Sequence, residues 1–487
     1  MMSDNHDLLA SYLSTNSVVQ HQLESYNRFV SLSIPKIVES NGIIEPDVAN
    51  FAIKLGNVRL EQPKVIEADS SIRSIMPIEA LSRNLTYSAA MYITYTPMIS
   101  DIEKVDSAGE IFIGELPVMV KSDLCYLKNM GREQLIRNGE DPDDPGGYFI
   151  IRGTERVLVG IEDLAPNRVI SSKDGNNVVS KIFSTTLNFK SRCSVERDEY
   201  GIFTVSFPTV TKGVDFIMVL RALGLSINEM LESTENEDVR NDIMVNVEMS
   251  KSKDMGPSTA LEELGRLSAP NQSKAYQEKR AEMQLDTYIL PHIGTDAKDR
   301  KSKGYYLLRM AERDSLVAYG YTRQDDKDHY ANKRVRFAGD LLEDLFNESF
   351  KSFIKDVKYH VERIAARGRK LSVRTSINPD ALTEKLLYSM GTGAWPGGYT
   401  GVSQVLDRAN MISTLAHLRR IKSPLAKKHA HFKARDIHGT HIGKICPSET
   451  PEGGEVGLTR YLSMTARVSY GAEEEQLKGK LKELKLL

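Results

Sequence analysis

The chain has little of several things that often organise a protein of its size. Of 487 residues only three are cysteine, Cys125, Cys193 and Cys446, and only one is tryptophan. Three scattered cysteines with no Cys-x-x-Cys cannot build a disulfide framework, which argues for a reducing compartment and against a structural zinc module. No apolar run approaches the ~18 residues of a membrane span. The N-terminus carries Asp4 and Asp7 where a secretion signal would be basic. These absences predict a cytoplasmic protein with no membrane partner. Net charge is scarce too: 64 Lys and Arg against 66 Asp and Glu leave −2, so any nucleic-acid surface must be local. With 40% hydrophobic and 27% charged residues, the length has material for about two to four globular domains.

Apolar spacing predicts helices from Leu8 to Val38, punctuated by Pro35 and Asn41-Gly42. β-rich pieces follow, Met91 to Tyr95 and Ile111 to Val120, and Tyr148 to Gly160 reads as a hairpin around Arg152-Gly153-Thr154-Glu155. Composition shifts after Ala165-Pro166-Asn167, where strand-like Gly201 to Thr211 precedes an acidic helical region around Glu229 to Glu248. Ser250 to Ser258 and Lys274 to Arg280 read as solvated loop or helix surface. Asp340 to Arg367 has the clearest helical stripe, including Leu342, Leu345, Phe346, Phe350, Phe353 and Val357, a core signature. Another helix is expected from Gly401 to His417, packing Val402, Val405, Leu406, Ala409, Ile412 and Leu415 and leaving Gln404, Asp407 and Arg408 on or beside its other face. Glu473 to Leu487 reads as an amphipathic helix. The fold class expected is α+β, multidomain and mixed helix and strand.

What is plentiful is concentrated near the C-terminus. His438 to Leu458 holds Pro447, Pro451 and five glycines, a composition for a rigid, irregular loop. Before it Arg419, Arg420, Lys422, Lys427, Lys428, Lys433 and Arg435 face Asp436 alone, and Lys444 lies within it. Arg419 and Arg420 could simply complement a helix dipole; the continuing run favours a cationic loop against phosphates.

Sharper motifs fail. Gly439 to Lys444 lacks the spacing and the following Ser or Thr of a phosphate loop, and Trp395-Pro396 after Gly391-Thr392-Gly393 rules out a dinucleotide fingerprint, leaving a flexible loop. His417, His429, His431, His438 and His441 are half of the ten histidines, but no carboxylate accompanies them at ligand spacing and lysines among them would repel a cation. Asp141, Asp143 and Asp144, and Asp325, Asp326 and Asp328, read as solvated turns. No metal and no catalytic carboxylate set is expected.

Ile437 to Gly453, with Gly401-Val402-Ser403-Gln404-Val405-Leu406-Asp407-Arg408, resembles the fork region of the second-largest subunit of multisubunit RNA polymerases. Ser82 to Ala89, Gly114 to Met119 and Asp144 to Ile151 are similar to that family's protrusion domain. Asp326 to Arg334 looks like the return from lobe to protrusion. The resemblance implies protrusion over 1–169 and 323–385, an inserted lobe over 170–322, a fork over 386–470 and a C-terminal helix over 471–487. Family members continue beyond the fork, so the chain is similar to the N-terminal half of the subunit as it is split in archaea. Gly391 to Gly398 would be the first fork loop and Ile421 to Lys433 the second.

By the same resemblance Arg419, Arg420 and Arg435 act on phosphates, and Gln404 and Asp407 face the hybrid cavity. Glu452 lies near the growing RNA end. Lys422, Thr440, Lys444, Glu449, Thr450, Pro451 and Gly453 complete the nucleic-acid-facing set. Implied partners are template DNA, nascent RNA, the C-terminal half of the same subunit, the largest subunit and other polymerase subunits. The largest subunit holds the catalytic Mg2+, and this chain, inactive alone, holds no cofactor. A noncatalytic nucleic-acid scaffold and a histidine metalloenzyme are the competing readings.

Overall fold

In the computed structural model, which describes residues 7, 11–12, 17–48, 50–100, 102–104, 108–208, 210–253, 255–368, 373–425, 432–469 and 474–484, the longest helix is Ala338–Ala366, 29 residues. Its stripe of Leu342, Leu345, Phe346, Phe350, Phe353 and Val357 is buried, as the spacing predicts. Phe29 meets Phe346 edge-on at 6.0 Å between centroids, joining this helix to the run formed by Gln20–Arg28, a π-helical turn Phe29–Ser33 and Ile34–Ser40. Close approach between the two needs a glycine: a Cβ on Gly339 would sit 1.9 Å from the Ser25 carbonyl oxygen. Gly339 N–H instead donates to Ser25 Oγ at 2.9 Å.

The chain divides into two compact units, Met1–Asp163 with Val335–Leu487, and Leu164–Arg334. In the first, strand Ser88–Ile99 is the hub of an antiparallel sheet, pairing with Phe51–Leu60, Ile102–Glu103 and Gly109–Pro117. Alternate residues Ala89, Met91, Ile93 and Tyr95 point inward. The expected hairpin is present: Phe149–Ile151 pairs with Thr154–Leu158, turning through Arg152 and Gly153, both at positive φ, as a tight two-residue hairpin requires.

Residues 401–417 do not form one helix. Ser403–Val405 is instead a third strand on that hairpin, with Gln404 opposite Val157, and only Met411–Leu418 is helical. Val402 and Leu406 are buried from extended backbone while Val405 is 58% exposed, so the apolar spacing belongs to a strand end and a helix read as one period. Asn410 starts the helix, its side chain accepting from Ser413 N–H at 2.8 Å while Ser413 Oγ accepts from Asn410 N–H at 3.2 Å. Nor is 391–398 a loose loop. Trp395 is 5% exposed, donates its indole N–H to Leu341 O at 2.8 Å and bridges to Tyr399.

Strand Arg420–Lys422 lies between Gly160–Leu164, parallel to it, and Thr459–Tyr461, antiparallel. Both edges of the Arg420 segment are therefore held.

The second unit is a meander of five antiparallel strands in chain order, Ile170–Asp174, Asn177–Thr185, Lys190–Arg197, Phe203–Phe207 and Val210–Asp215. Helices that include Phe216–Ala222, Glu237–Met249 and Arg300–Ala318 share its core. Asp314 of the last helix, with no exposed surface, accepts from Ser180 Oγ at 2.6 Å and Ser180 N–H at 3.2 Å. Residues 274–283 are helical, and Ser250 and Ser252, expected in a solvated stretch, are buried. With sheets that are mainly antiparallel, Gly160–Leu164 with Arg420–Lys422 being parallel, and with helices outside a regular strand–helix alternation, the fold is α+β. Among the described residues no helix is long and apolar enough to cross a membrane.

Candidate nucleic-acid interface

The strip that looked uniformly basic in sequence sorts into cations committed inside the fold and cations left over. Arg419 is committed. It is 3% exposed, and its guanidinium donates to the carbonyls of Val18, Leu462 and Ser463. This corrects its expected role on phosphates, since added partners can only bury it further. It is a strut tying the chain start to the segment after strand Thr459–Tyr461. Arg435 is partly committed, donating to Gly454 O at 3.0 Å and Val456 O at 2.7 Å. Arg408 donates to both carboxylate oxygens of Glu155 at 2.7 and 2.8 Å and to Asp144 at 2.8 Å, with its guanidinium carbon 4.9 Å from the Tyr148 ring centre. It locks the hairpin to the segment after Ser403–Val405 and is not a free reading group.

Arg420 is left over. Nη1 donates to Gln404 Oε1 at 3.3 Å, and the guanidinium carbon lies 5.5 Å from the ring centre of Tyr461, its direct partner across the strands. Its Nε is buried without a hydrogen-bond partner. Among the described residues no carboxylate pairs with it. Burial pushes the Glu449 carboxyl up from its ordinary value, against the pull of Arg420 and Arg419. Lys422 Nζ is 3.7 Å from Glu455, and Lys444 is exposed.

Gln404 also donates to Gly401 O at 2.9 Å and has its oxygen 3.0 Å from His417 Nε2. His417 Nδ1 accepts from Asp407 N–H at 3.1 Å. Burial, and then the Arg420 charge, push His417 down to about 4, against the pull of Asp407. Asp407 is exposed and caps the turn, accepting from Ala409 N–H at 2.9 Å.

The loop over 438–458 is held as its composition implies. Gly457 N–H donates to Thr450 Oγ1 at 3.1 Å, and Cys446 N–H donates to Tyr461 O at 2.8 Å. A Cβ on Gly457, at φ +69°, would lie 2.2 Å from Arg435 O. Glu452 and Gly453 are exposed, Pro451 is half-buried, and Glu452 precedes the short turn Gly453–Glu455. Thr440 pairs with His438 Nδ1 at 2.7 Å. His438 and His441 meet edge-on at 6.1 Å. Among the described residues no three His, Cys, Asp or Glu side chains gather as metal ligands do. Lys427, Lys428, His429 and His431 lie outside the described residues.

Sequence reasoning brought Gln404, Asp407, Arg420, Lys422 and Glu449 to one place. It missed Tyr461, which only strand register sets opposite Arg420, and it read His417 as a polar histidine bonding backbone or phosphate in preference to a metal ligand. The pairing of His417 with Gln404 had no local signal.

The chain is a multidomain α+β protein in which Arg420, with no carboxylate in ion-pair contact among the described residues, lies on a strand held beside a braced loop. A family profile described as RNA polymerase beta subunit matches residues 17–384, and one described as RNA polymerase Rpb2, domain 3 matches 404–468. The chain is 42% identical to proteins named DNA-directed RNA polymerase subunit Rpo2N from Methanocaldococcus jannaschii and Methanococcus vannielii, over 98% of this chain and 98% of each relative. It is 40% identical, over 98% of its length, to the subunit Rpo2 of Saccharolobus solfataricus, of which it spans 43%. The chain belongs to the RNA polymerase beta-subunit family, as a DNA-directed RNA polymerase subunit of the archaeal type in which Rpo2N forms the N-terminal half.

Proposed function

We propose that this chain lines the active-centre cleft of the assembled polymerase and contacts phosphates of the template DNA and the RNA–DNA hybrid through Arg420, flanked by Lys422 and Lys444. The observation that carries the reading is the state of Arg420. Its neighbours Arg408, Arg419 and Arg460 are spent on carboxylates or carbonyls and Arg435 is partly so, whereas Arg420 rests on a neutral amide and an aromatic face. A guanidinium held so keeps donors and charge for an outside anion. Glu449, Thr450 and Glu452 act as a braced wall near the RNA end, and Gln404 and Asp407 face the hybrid.

Templated nucleotidyl transfer then belongs to the complex. On this reading the catalytic Mg2+ would be held by the largest subunit and would supply the alignment of the RNA 3′ hydroxyl and the incoming nucleotide, while this chain shapes the cleft. The C-terminal half of the second-largest subunit, the largest subunit and other polymerase subunits are the partners. Ile412, Phe432 and Ile442, at 80%, 87% and 83% exposed, are apolar side chains that such partners could cover. Residues 386–470 serve as fork, 170–322 as lobe, 1–169 and 323–385 as protrusion, and 471–487 as a helix at the split, in a cytoplasmic enzyme.

The test is reconstitution. This chain alone should make no RNA, and with its partner subunits it should. Arg420→Ala should assemble normally and elongate poorly; normal elongation by that variant removes the assignment.

A further inference from the structure

The hydrogen bonds behind Arg420 admit one arrangement of protons. Asp407 N–H donates to His417 Nδ1 at 3.1 Å, so that nitrogen is an acceptor and the neutral ring carries its proton on Nε2. That proton points at Gln404 Oε1, 3.0 Å away. Arg420 Nη1, which can only donate, reaches the same oxygen at 3.3 Å. On its other side the Gln404 amide donates to Gly401 O at 2.9 Å. Turned over, the amide would aim its NH2 at two donors and its oxygen at a carbonyl. Removing the histidine donor leaves only Arg420 and the Gly401 carbonyl to oppose that flip.

We propose that His417 is a positioning residue: its Nε2–H fixes the Gln404 amide so that the amide oxygen anchors Arg420 over the Tyr461 ring, facing a nucleic-acid phosphate. The inference rests on the phosphate-contact reading of Arg420 given above. His417 is 4% exposed and acts only through Gln404. It sits on helix Met411–Leu418, while Gln404 lies on strand Ser403–Val405 and Arg420 opens strand Arg420–Lys422, so the contact joins three elements at one guanidinium. The arrangement holds through the neutral range, because burial keeps the imidazole uncharged.

The experiment uses reconstituted polymerase on an RNA–DNA hybrid scaffold and reads the salt concentration at which half the complexes dissociate. Arg420→Ala, His417→Leu, the double variant and His417→Gln are compared. Expected are lower midpoints for Arg420→Ala and for His417→Leu, with the double variant no lower than Arg420→Ala alone, since the histidine acts only through the arginine. His417→Gln, whose amide can accept at one end and donate at the other, should recover most of the loss. Additive losses overturn the proposal, and a general folding defect would show as additive loss. His417→Gln behaving like His417→Leu also overturns it. A normal His417→Leu beside an impaired Arg420→Ala overturns it while leaving the phosphate contact standing. A normal Arg420→Ala removes both.

Discussion

Arg460 places Nη1 2.9 Å from both carboxylate oxygens of Glu162, and its Nη2 donates to Ala434 O at 2.7 Å. The two side chains are only 8% and 4% exposed. They come from the strands on either side of Arg420–Lys422, so one buried ion pair closes over the strand that carries Arg420 and pins the segment leading to the 438–458 loop.

Breaking that pair strands a buried charge. Arg460→Ala or Glu162→Gln should each cost about 3–5 kcal/mol, read by denaturant unfolding. The double replacement with apolar residues of similar size should cost less than the sum. A loss under about 1 kcal/mol, the range of a surface pair, would show that the pair is solvated.

Arg408 and Arg420 should separate stability from function. Arg408→Ala removes a bidentate, half-exposed pair with Glu155 and a ring contact with Tyr148, and should lower stability by about 1 kcal/mol. Arg420→Ala should shift stability by no more than about 0.5 kcal/mol while impairing elongation. Thermal melts of the purified chain beside transcription by the reconstituted enzyme check both.

Several features of this division were open to sequence reasoning and several were not. The 149–158 hairpin and the 338–366 helix were legible because each carries its own period and its own turn or stripe. The 401–417 stretch was misread because Val402, Val405, Leu406 and Ala409 fit a helical period by accident of a strand running into a capped helix. Arg419 and Arg420 are adjacent and identical in type, yet one is buried against three carbonyls and the other lies half-buried against Gln404 and Tyr461. That choice follows from the neighbouring strands and Val18, far away in sequence, and no local pattern encodes it.

Asp314 in the second unit and His21 and His417 in the first should contribute to the acid response with opposite sign. Burial raises the Asp314 carboxyl from 3.8 to about 7, so the folded second unit binds a proton that the unfolded chain lacks between those values. The stability that Asp314 contributes should be greatest below 3.8 and be lost as pH rises to about 7. In the first unit burial lowers His21 to about 3 and His417 to about 4, from 6.5. There the unfolded chain takes up protons first, so stability present above 6.5 is lost as pH falls toward 4. Each group can contribute up to about 1.4 kcal/mol per pH unit within its window. Hydrogen exchange resolved by segment, at pH values inside these windows, reads both units at once. Asp314→Asn should flatten the second unit's dependence, and an unchanged slope in that variant would assign it elsewhere.

The most direct measurement of the central claim is the salt dependence of hybrid-scaffold binding by the reconstituted enzyme, wild type against Arg420→Ala. Removing a single arginine–phosphate pair should make the log–log slope shallower by about 0.7 to 0.9 and weaken binding alike across sequences. An unchanged slope, with or without weaker binding, would contradict a phosphate partner at Arg420.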